Sequence, residues 1–227
     1  MTIDWQAFWL TFELAVAVSA ILLVIGLPVA YWIAFSGWRW KFLVEAIVAL
    51  PIVLPPTVLG FYILVAMGAG SPVGRLYARL FGHGLPFTFA GLAIASVIYS
   101  LPFAVQPMAA AFSQVDRNLI NASAILGASR LRTFGRIVIP LSKGGIVTGA
   151  VLSFAHTLGE FGVVLMVGGN IPGVTRTISI AIYDHVEALE YGAANRLALL
   201  LLAFSFITLS LTYAVNWRMW AVWPLHR

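Results

Sequence analysis

Glu160 and His156 are the residues best suited to chemistry in this sequence, because both lie in a long apolar stretch. Residues four apart share one face of a helix, so the spacing predicts that the two side chains lie together. A carboxylate inside a membrane is costly unless it is paired, protonated or in contact with water. Three uses compete: lining a hydrated pathway, holding helices together by a hydrogen bond, or binding a metal ion. We favour a helix-positioning role for Glu160 near a gate.

A metal site or a catalytic site at this pair would need further residues. A metal ion requires at least a third good protein ligand, and no other His or Cys lies nearby in the sequence. A hydrolase inside the membrane requires a nucleophile or a set of metal ligands, and the sequence offers no convincing one. We therefore predict no metal-binding residues and no catalytic residues.

The composition places the whole chain in a lipid bilayer. Of its 227 residues, 61% are apolar and only 9% are charged, and the mean hydropathy is +0.97, unlike a soluble domain. About five apolar runs are long enough to cross a hydrocarbon core of about 30 Å, which leaves no room for a soluble module. We predict an all-α integral membrane protein with a single domain over residues 1–227 and helices at 8–35, 42–67, 86–111, 144–168 and 197–217.

The cationic residues predict the orientation of these helices, because Lys and Arg near membrane ends are retained on the cytoplasmic side. With the N-terminus outside, the outer segments hold Arg75, Arg79, Arg176 and Arg196. The inner segments then hold Arg39, Lys41, Arg117, Arg130, Arg132, Arg136, Lys143, Arg218 and Arg227. This bias predicts an outer N-terminus and an inner C-terminus. It also explains the formal charge of +5, so we predict contact with the lipid bilayer and none with nucleic acid.

Prolines predict a break in the second apolar run. Pro55 and Pro56 remove amide donors and disfavour helical geometry just before themselves. Such breaks are tolerated where protein or water surrounds the freed carbonyls, which favours a pathway-facing position over a kink that only improves packing. Pro102 and Pro107 are expected to interrupt the third helix similarly. The candidate pathway or gate residues are Pro55, Pro56, Thr57, His156, Gly159 and Glu160.

A polar loop at about residues 112–143 separates the third and fourth apolar runs. Asp116 is a good helix start, and Asn121–Leu126 predicts a short helix that ends where Gly127 relaxes the backbone. The small side chains in this loop predict a smooth surface that a partner's groove can contact. On composition alone, a solvated loop whose arginines only set the topology is an equal alternative.

The spacing within this loop resembles the cytoplasmic coupling loop of bacterial ABC importer permeases. The family pattern is Glu-Ala-Ala, a Gly four residues after the second Ala, and then, after a fixed gap, Ile, any residue, Leu and Pro. The positions that match are Ala122, Gly127, Ile137 and Pro140. The positions that differ are Asn121, Ser123 and Ile139, which stand in place of Glu, Ala and Leu. Loss of the carboxylate at Asn121 removes a salt bridge to a partner but retains hydrogen bonding.

The resemblance implies that this loop docks into a cleft on a separate dimer of ATP-binding subunits. The residues implied to couple to that ATPase are Asn121, Ala122, Ser123, Ala124, Gly127, Ala128, Ser129 and Arg130. The chain itself is not expected to be an enzyme or to bind a cofactor, because a phosphate-binding P-loop needs Gly-Lys-Ser/Thr and the only lysines follow Trp40 and Ser142. ATP and Mg would be used by the partner subunit.

Two further segments resemble the permeases for tetrahedral oxyanions. Residues 157–162, Thr-Leu-Gly-Glu-Phe-Gly, contain a core shared with sulfate permeases. Residues 170–173 and 175–178, Asn-Ile-Pro-Gly and Thr-Arg-Thr-Ile, are most similar to molybdate permeases, and the similarity extends to residues 50–60. The resemblance implies a subunit of a molybdate importer in the bacterial inner membrane. A sulfate or tungstate permease is the nearer alternative, and a channel or secondary carrier is a more remote one.

Five helices enclose a pathway poorly, so we expect a homodimer with the route between its two subunits. The outer loop at residues 169–195 is long enough to include a short surface helix. We expect this loop to receive a periplasmic molybdate-binding protein; the alternative is a solvated connector with no partner. Substrate selectivity is expected to reside in that binding protein.

Overall fold

A computed structural model describes residues 4–221 of the chain, with side chains described as far as residue 214. Three unbroken helices are long and apolar enough to cross a membrane: α1 (Trp5–Phe35), α5 (Phe89–Ser113) and the segment Tyr191–Ala214 of α12 (Tyr191–Ala221). Two bent helix pairs raise the number of candidate spans to five. The prediction of an all-α protein with about five membrane helices is confirmed.

The first bent pair lies where the prolines predicted a break. Helix α2 (Lys41–Val53) and helix α3 (Pro56–Met67) meet at an angle of 114°. Leu54 and Pro55 between them have extended backbone angles, with ψ of 135° at both residues. The carbonyl of Pro55 then accepts hydrogen bonds from the amides of Val58 and Leu59 in the first turn of α3. Pro56 occupies the first position of α3. An amide at that position has no partner within the helix, so the proline costs α3 no hydrogen bond.

After α3 the chain continues through α4 (Pro72–Phe81), a short helix that precedes α5. Ser71 caps α4, since its hydroxyl accepts a hydrogen bond from the amide of Gly74 at 2.8 Å. The predicted interruption of the third membrane helix is wrong, because α5 is continuous through Pro102 and Pro107. Neighbouring helices commonly accommodate prolines inside membrane helices.

Between α5 and the next membrane helix lie α6 (Arg117–Ile125), α7 (Arg130–Thr133), a π-helical turn (Phe134–Val138) and α8 (Ile139–Leu141). Helix α9 (Lys143–Gly159) follows at an angle of 76° to the segment Arg130–Leu141. The predicted single helix at 144–168 is wrong in one respect: it ends at Gly159, and a separate helix α10 (Gly162–Gly168) completes it. Helix α11 (Ile178–Glu187) then precedes α12, which begins six residues before the predicted residue 197.

The main core forms where α1, α5 and α9 pack side by side. Leu14 and Leu22 of α1 and Val105, Met108 and Phe112 of α5 are completely buried. Glycines bring α9 against α5: a Cβ added at Gly149 would lie 2.6 Å from the carbonyl oxygen of Ala104. Small residues of this kind let membrane helices approach closely.

The two ends of the bundle carry different segments. At one end, Arg176 of the segment before α11 lies 3.9 Å from Asp4, which begins α1. At the other end of α1, the ring of Tyr31 contacts that of Phe134, 5.0 Å between centroids. The N-terminus and α11 therefore share one end, and the α6–α8 segment lies at the opposite end, as the predicted topology requires. Of the cations used to predict it, Arg227 and the side chain of Arg218 lie outside the described residues.

Candidate functional site

A cavity of about 590 Å³ lies beside two helix breaks. The first break separates α2 from α3, and the second separates α9 from α10. Its lining comprises Pro56, Thr57, Tyr99, Ala155, His156, Gly159, Glu160, Phe161 and Gly162. Five of the six predicted pathway residues therefore meet at one cavity, although they come from α3, α9 and the turn after α9. The exception is Pro55, which precedes the cavity and supplies its carbonyl to α3.

The two breaks pack directly against each other. A Cβ added at Gly162 would lie 2.6 Å from the Cβ of Pro56, and one added at Gly60 would lie 2.8 Å from the Cβ of Met166. Helices α3 and α10 are thus in close contact, and the turn between α9 and α10 faces the start of α3. The break before α3, which the prolines predict, therefore packs against the break between α9 and α10, which the sequence did not predict.

Glu160 closes the second break by capping α10. Its Oε1 accepts a hydrogen bond from the amide of Val163 at 2.8 Å, and its Oε2 accepts one from the amide of Val164 at 3.1 Å. These amides lack a helical partner because they lie in the first turn. Glu160 is itself extended, with φ −71° and ψ 135°, so the prediction that it shares a continuous helix with His156 is wrong. Glu160 is only 5% exposed, and both its carboxylate oxygens accept backbone hydrogen bonds.

His156 is held between aromatic and hydroxyl groups. Its ring stacks on that of Phe103, with 4.0 Å between centroids and 23° between planes, and lies 4.7 Å from the ring of Tyr99. Its Nδ1 lies 2.9 Å from the hydroxyl of Ser100, which also contacts the hydroxyl of Thr157 at 3.0 Å. Among the described side chains, residues 4–214, none hydrogen-bonds to its Nε2, so this ring nitrogen is left for other contacts.

The contact between Ser100 and His156 is the nearest approach to a catalytic pair. Sequence spacing did not predict it, because the two residues are 56 positions apart. Ser100 is completely buried, so its hydroxyl cannot reach a substrate. In the described part of the chain, no three residues of the types His, Cys, Asp and Glu are grouped so that they could hold a metal ion. The arrangement suits polar contact with a passing solute better than bond cleavage.

The helix predicted at Asn121–Leu126 is present as α6, which begins four residues earlier, at Arg117, and ends at Ile125. The carboxylate of Asp116 caps α6 by accepting a hydrogen bond from the amide of Asn118 at 2.8 Å. Gly127 ends the turn after α6 with φ +79°, in the left-handed region that favours glycine. Ser129 caps α7 through a hydrogen bond from the amide of Arg132 at 3.3 Å. Of the eight predicted coupling residues, Asn121, Ala122, Ala124, Gly127, Ser129 and Arg130 are exposed, Ala128 is half-buried and Ser123 is buried.

Ser123 faces inward, so it does not form part of the small-residue surface that the sequence predicted. Its hydroxyl lies 2.7 Å from that of Thr133 and thereby joins α6 to α7. Large apolar side chains that sequence reasoning missed are exposed on this segment beside the small residues. Ile125 and Leu126 are each 86% exposed, and Leu131 is 80% exposed. The sequence does contain a signal for this exposed apolar surface, because these apolar residues interrupt an otherwise polar loop.

An ion pair and a hydrogen bond join the segment before α11 to the N-terminal end of α1. The guanidinium of Arg176 lies 2.9 Å from the carboxylate of Asp184 on α11, which also accepts a hydrogen bond from the side chain of Asn170 at 2.7 Å. The hydroxyl of Thr11 on α1 accepts a hydrogen bond from the amide of Ile178 at 2.8 Å. This network includes two residues of the segments that resembled oxyanion permeases, Asn170 and Arg176, and gives them a structural role.

Unbroken and broken membrane helices around a cavity, with a short helical segment at one end, define a polytopic helical membrane protein of the transport permease type. The fold is that of a chain in the inward-facing structure of the MetNI methionine ABC transporter: the TM-score is 0.74 over 95% of this chain and 98% of that chain, at 16% identity. The chain belongs to the family of binding-protein-dependent transport system inner membrane components, which matches residues 11–221. It is accordingly a multi-pass protein of the bacterial inner membrane.

Relatives within this family share much of the sequence. The molybdenum transport system permease protein ModB of Azotobacter vinelandii is 51% identical over 211 residues, which cover 93% of each chain. The protein of the same name from Escherichia coli strain K12 is 36% identical and covers 91% of this chain and 90% of its own. The similarity extends across the cavity, the α6–α8 segment and α11.

Proposed function

We propose that this chain is the membrane-spanning permease subunit of an ATP-driven importer of molybdate. The observation that carries the proposal is the 51% identity to ModB of Azotobacter vinelandii over 93% of both chains. Fold alone does not indicate a cargo, since one fold serves many functions. The cargo is therefore inferred from this close relative, and the roles of individual residues from the geometry.

The translocation pathway runs between two copies of the chain and passes the cavity. Thr57 and Gly159 on the cavity lining are exposed, so a second subunit is needed to enclose a passing ion. Two-fold symmetry is the default for such a dimer. His156 and Tyr99 present polar atoms to the ion. Glu160 does not bind the anion, because both its oxygens accept backbone hydrogen bonds.

The α6–α8 segment couples transport to a separate dimer of ATP-binding subunits. Ile125, Leu126 and Leu131 enter an apolar cleft on that partner, because large side chains exposed to this extent mark an interaction surface. Arg130 and the other predicted polar residues surround this contact. ATP and Mg are bound and used by the partner, and this chain binds no cofactor of its own.

At the opposite end, the segment 169–187 receives a periplasmic molybdate-binding protein. The Arg176–Asp184 ion pair and the hydrogen bond from Ile178 to Thr11 hold this segment in place. Because this docking surface is rigid, binding of the loaded protein can shift the conformational equilibrium of the membrane helices. Selection among molybdate, tungstate and sulfate occurs chiefly in the binding protein, which delivers its anion to the pathway.

ATP hydrolysis by the assembled transporter in proteoliposomes tests this function. The binding protein is added empty and then loaded with molybdate, tungstate or sulfate. We expect the molybdate-loaded protein to stimulate hydrolysis above the empty protein and the anion to accumulate inside the vesicles. Stimulation by sulfate alone would retain the importer and change its cargo. Accumulation without ATP would instead identify a secondary carrier.

A further inference from the structure

Helix α4 presents an apolar stripe that nothing in the described chain covers. Val73, Leu76 and Leu80 follow the spacing of one helix face, and they are 59%, 60% and 70% exposed. The opposite face is held against the protein: Gly74 approaches the carbonyl oxygens of Met67 and Gly68 so closely that no side chain fits there. The helix therefore lies against the outer end of α3 and directs its stripe away from the bundle.

Two arginines on the neighbouring face of α4 have no anionic partner among the described residues. Arg75 and Arg79 are exposed, and neither forms an ion pair with any residue in the described part of the chain. The sequence contains no Asp or Glu from residue 46 to residue 115, so no acidic neighbour balances them locally. Arginines near the outer ends of membrane helices run against the usual charge bias. Their presence calls for an anion outside this chain.

The stripe follows an apolar surface on α3 away from the cavity. On α3, which α4 follows after a short turn, Tyr62 and Val65 are 64% and 55% exposed. An apolar surface of this kind on a membrane helix contacts acyl chains. Leu76 and Leu80 extend it to the outer boundary of the bilayer, where the phosphates of headgroups supply the negative charge that Arg75 and Arg79 lack.

We propose that α4 is an interfacial helix that binds anionic lipid of the extracytoplasmic leaflet. Val73, Leu76 and Leu80 lie among the acyl chains, about 5–10 Å into the boundary region. Arg75 and Arg79 extend their charged ends to lipid phosphates, as long cationic side chains do at a membrane surface. The inference requires only the membrane location of the chain and is independent of the cargo.

A protein partner fits this surface less well than lipid. A ten-residue helix is about 15 Å long, whereas a stable protein interface buries roughly 800 Å² on each partner. Three aliphatic side chains supply a small part of that area. Apolar side chains beside two unpaired cations match the combination of acyl chain and phosphate in one lipid.

The absence of cysteine from the sequence allows a direct test in the assembled transporter. The variant Leu80→Cys is labelled with a nitroxide before assembly with the unlabelled partner subunits, and its collision rates with oxygen and with a water-soluble nickel chelate are measured in vesicles containing phosphatidylglycerol. The variant Tyr62→Cys, labelled in the same way and exposed on α3, serves as the lipid reference. We expect the Leu80 label to resemble that reference, with oxygen access and protection from nickel. Nickel access equal to that of free label would overturn the proposal.

The arginines are tested by the double variant Arg75→Gln, Arg79→Gln. Arg196→Gln is the matched control, because Arg196 is an exposed outer arginine on α12 that, unlike Arg75 and Arg79, follows acidic residues in the sequence, Glu187 and Glu190. Retention of phosphatidylglycerol by the detergent-purified complex is titrated by native mass spectrometry. We expect an affinity loss of about twenty-five-fold for the double variant and little change for the control, since each arginine near anionic lipid contributes about a factor of five. Equal retention by all three proteins would overturn the arginine assignment.

The spin-label experiment has one further outcome. If protection of the Leu80 label from nickel depended on the second subunit and not on lipid, the stripe would be a protein contact and the proposal would be overturned.

Discussion

Pro56 and Gly162 are in direct contact across the two helix breaks, and a Cβ added at Gly162 would lie 2.6 Å from the Cβ of the proline. Neither partner can yield easily, because the proline ring is rigid and both residues begin helices. The contact joins α3 to α10 beside the cavity. It therefore ties the shape of the proposed pathway to the close packing of two short helices.

Replacement of Gly162 by Ala should destabilise this contact. We expect Gly162→Ala to lower the free energy of unfolding by about 1–3 kcal/mol, the usual cost of an added methyl group in a packed interior. The thermal unfolding of the purified complex measures the effect. Gly159→Ala is the matched control, because nothing lies within 4 Å of a Cβ at Gly159. Equal unfolding temperatures for the two variants would show that α3 and α10 separate without cost.

Glu160 should contribute to assembly through its two hydrogen bonds to the backbone. Gln at this position retains one acceptor oxygen, whereas Ala leaves the amides of Val163 and Val164 without a partner in a buried site. We expect the wild type to be the most stable, Glu160→Gln to be less stable and Glu160→Ala to be the least stable. Each unsatisfied amide should lower the free energy of unfolding by about 1–3 kcal/mol. The yield and thermal stability of the complex measure this order. Complete loss of the complex in Glu160→Gln, or an undiminished yield in Glu160→Ala, would contradict the capping role.

The exposed side chain of Leu126 should affect coupling without affecting folding. Because it is 86% exposed, Leu126→Ala removes little packing within the chain. We expect weaker association with the ATP-binding subunit and less ATP hydrolysis stimulated by the loaded binding protein. Leu202→Ala is the control, since Leu202 is 65% exposed on the membrane helix α12. A similar loss of stimulated hydrolysis in both variants would argue against a docking surface on α6–α8.

Gly127 should be sensitive to substitution for a different reason. Its φ of +79° is unfavourable for a β-branched side chain, while no atom lies within 4 Å of the position of a Cβ. Gly127→Val therefore strains the backbone by about 1–3 kcal/mol without a clash and shifts the turn between α6 and α7. We expect ATP hydrolysis to continue while anion uptake falls, so that the ratio of anion imported to ATP hydrolysed decreases. Gly135→Val provides the control, because Gly135 is exposed in the same segment with no atom near its Cβ position and no positive φ. Normal coupled uptake by Gly127→Val would contradict the proposed docking.

The sequence by itself determined the membrane location, the approximate number of helices and the break before Pro56. It also predicted the short helix that ends before Gly127. These features follow from local causes: hydropathy over about twenty residues selects a membrane span, a proline removes its own donor, and a glycine admits a left-handed turn. Each cause acts within a few residues of its effect, so it can be recognised without knowledge of the rest of the chain.

Tertiary structure decided the features that depend on residues distant in sequence. Glu160 ends one helix and caps the next, although apolar periodicity continues past it, because its carboxylate finds two free amides in the folded chain. Pro102 and Pro107 lie in an unbroken helix, since packing against α9 outweighs their local preference. Ser123 faces Thr133 and not a partner. The meeting of Pro56 with Gly162 requires two breaks more than a hundred residues apart in sequence to pack together, and no local propensity contains that information.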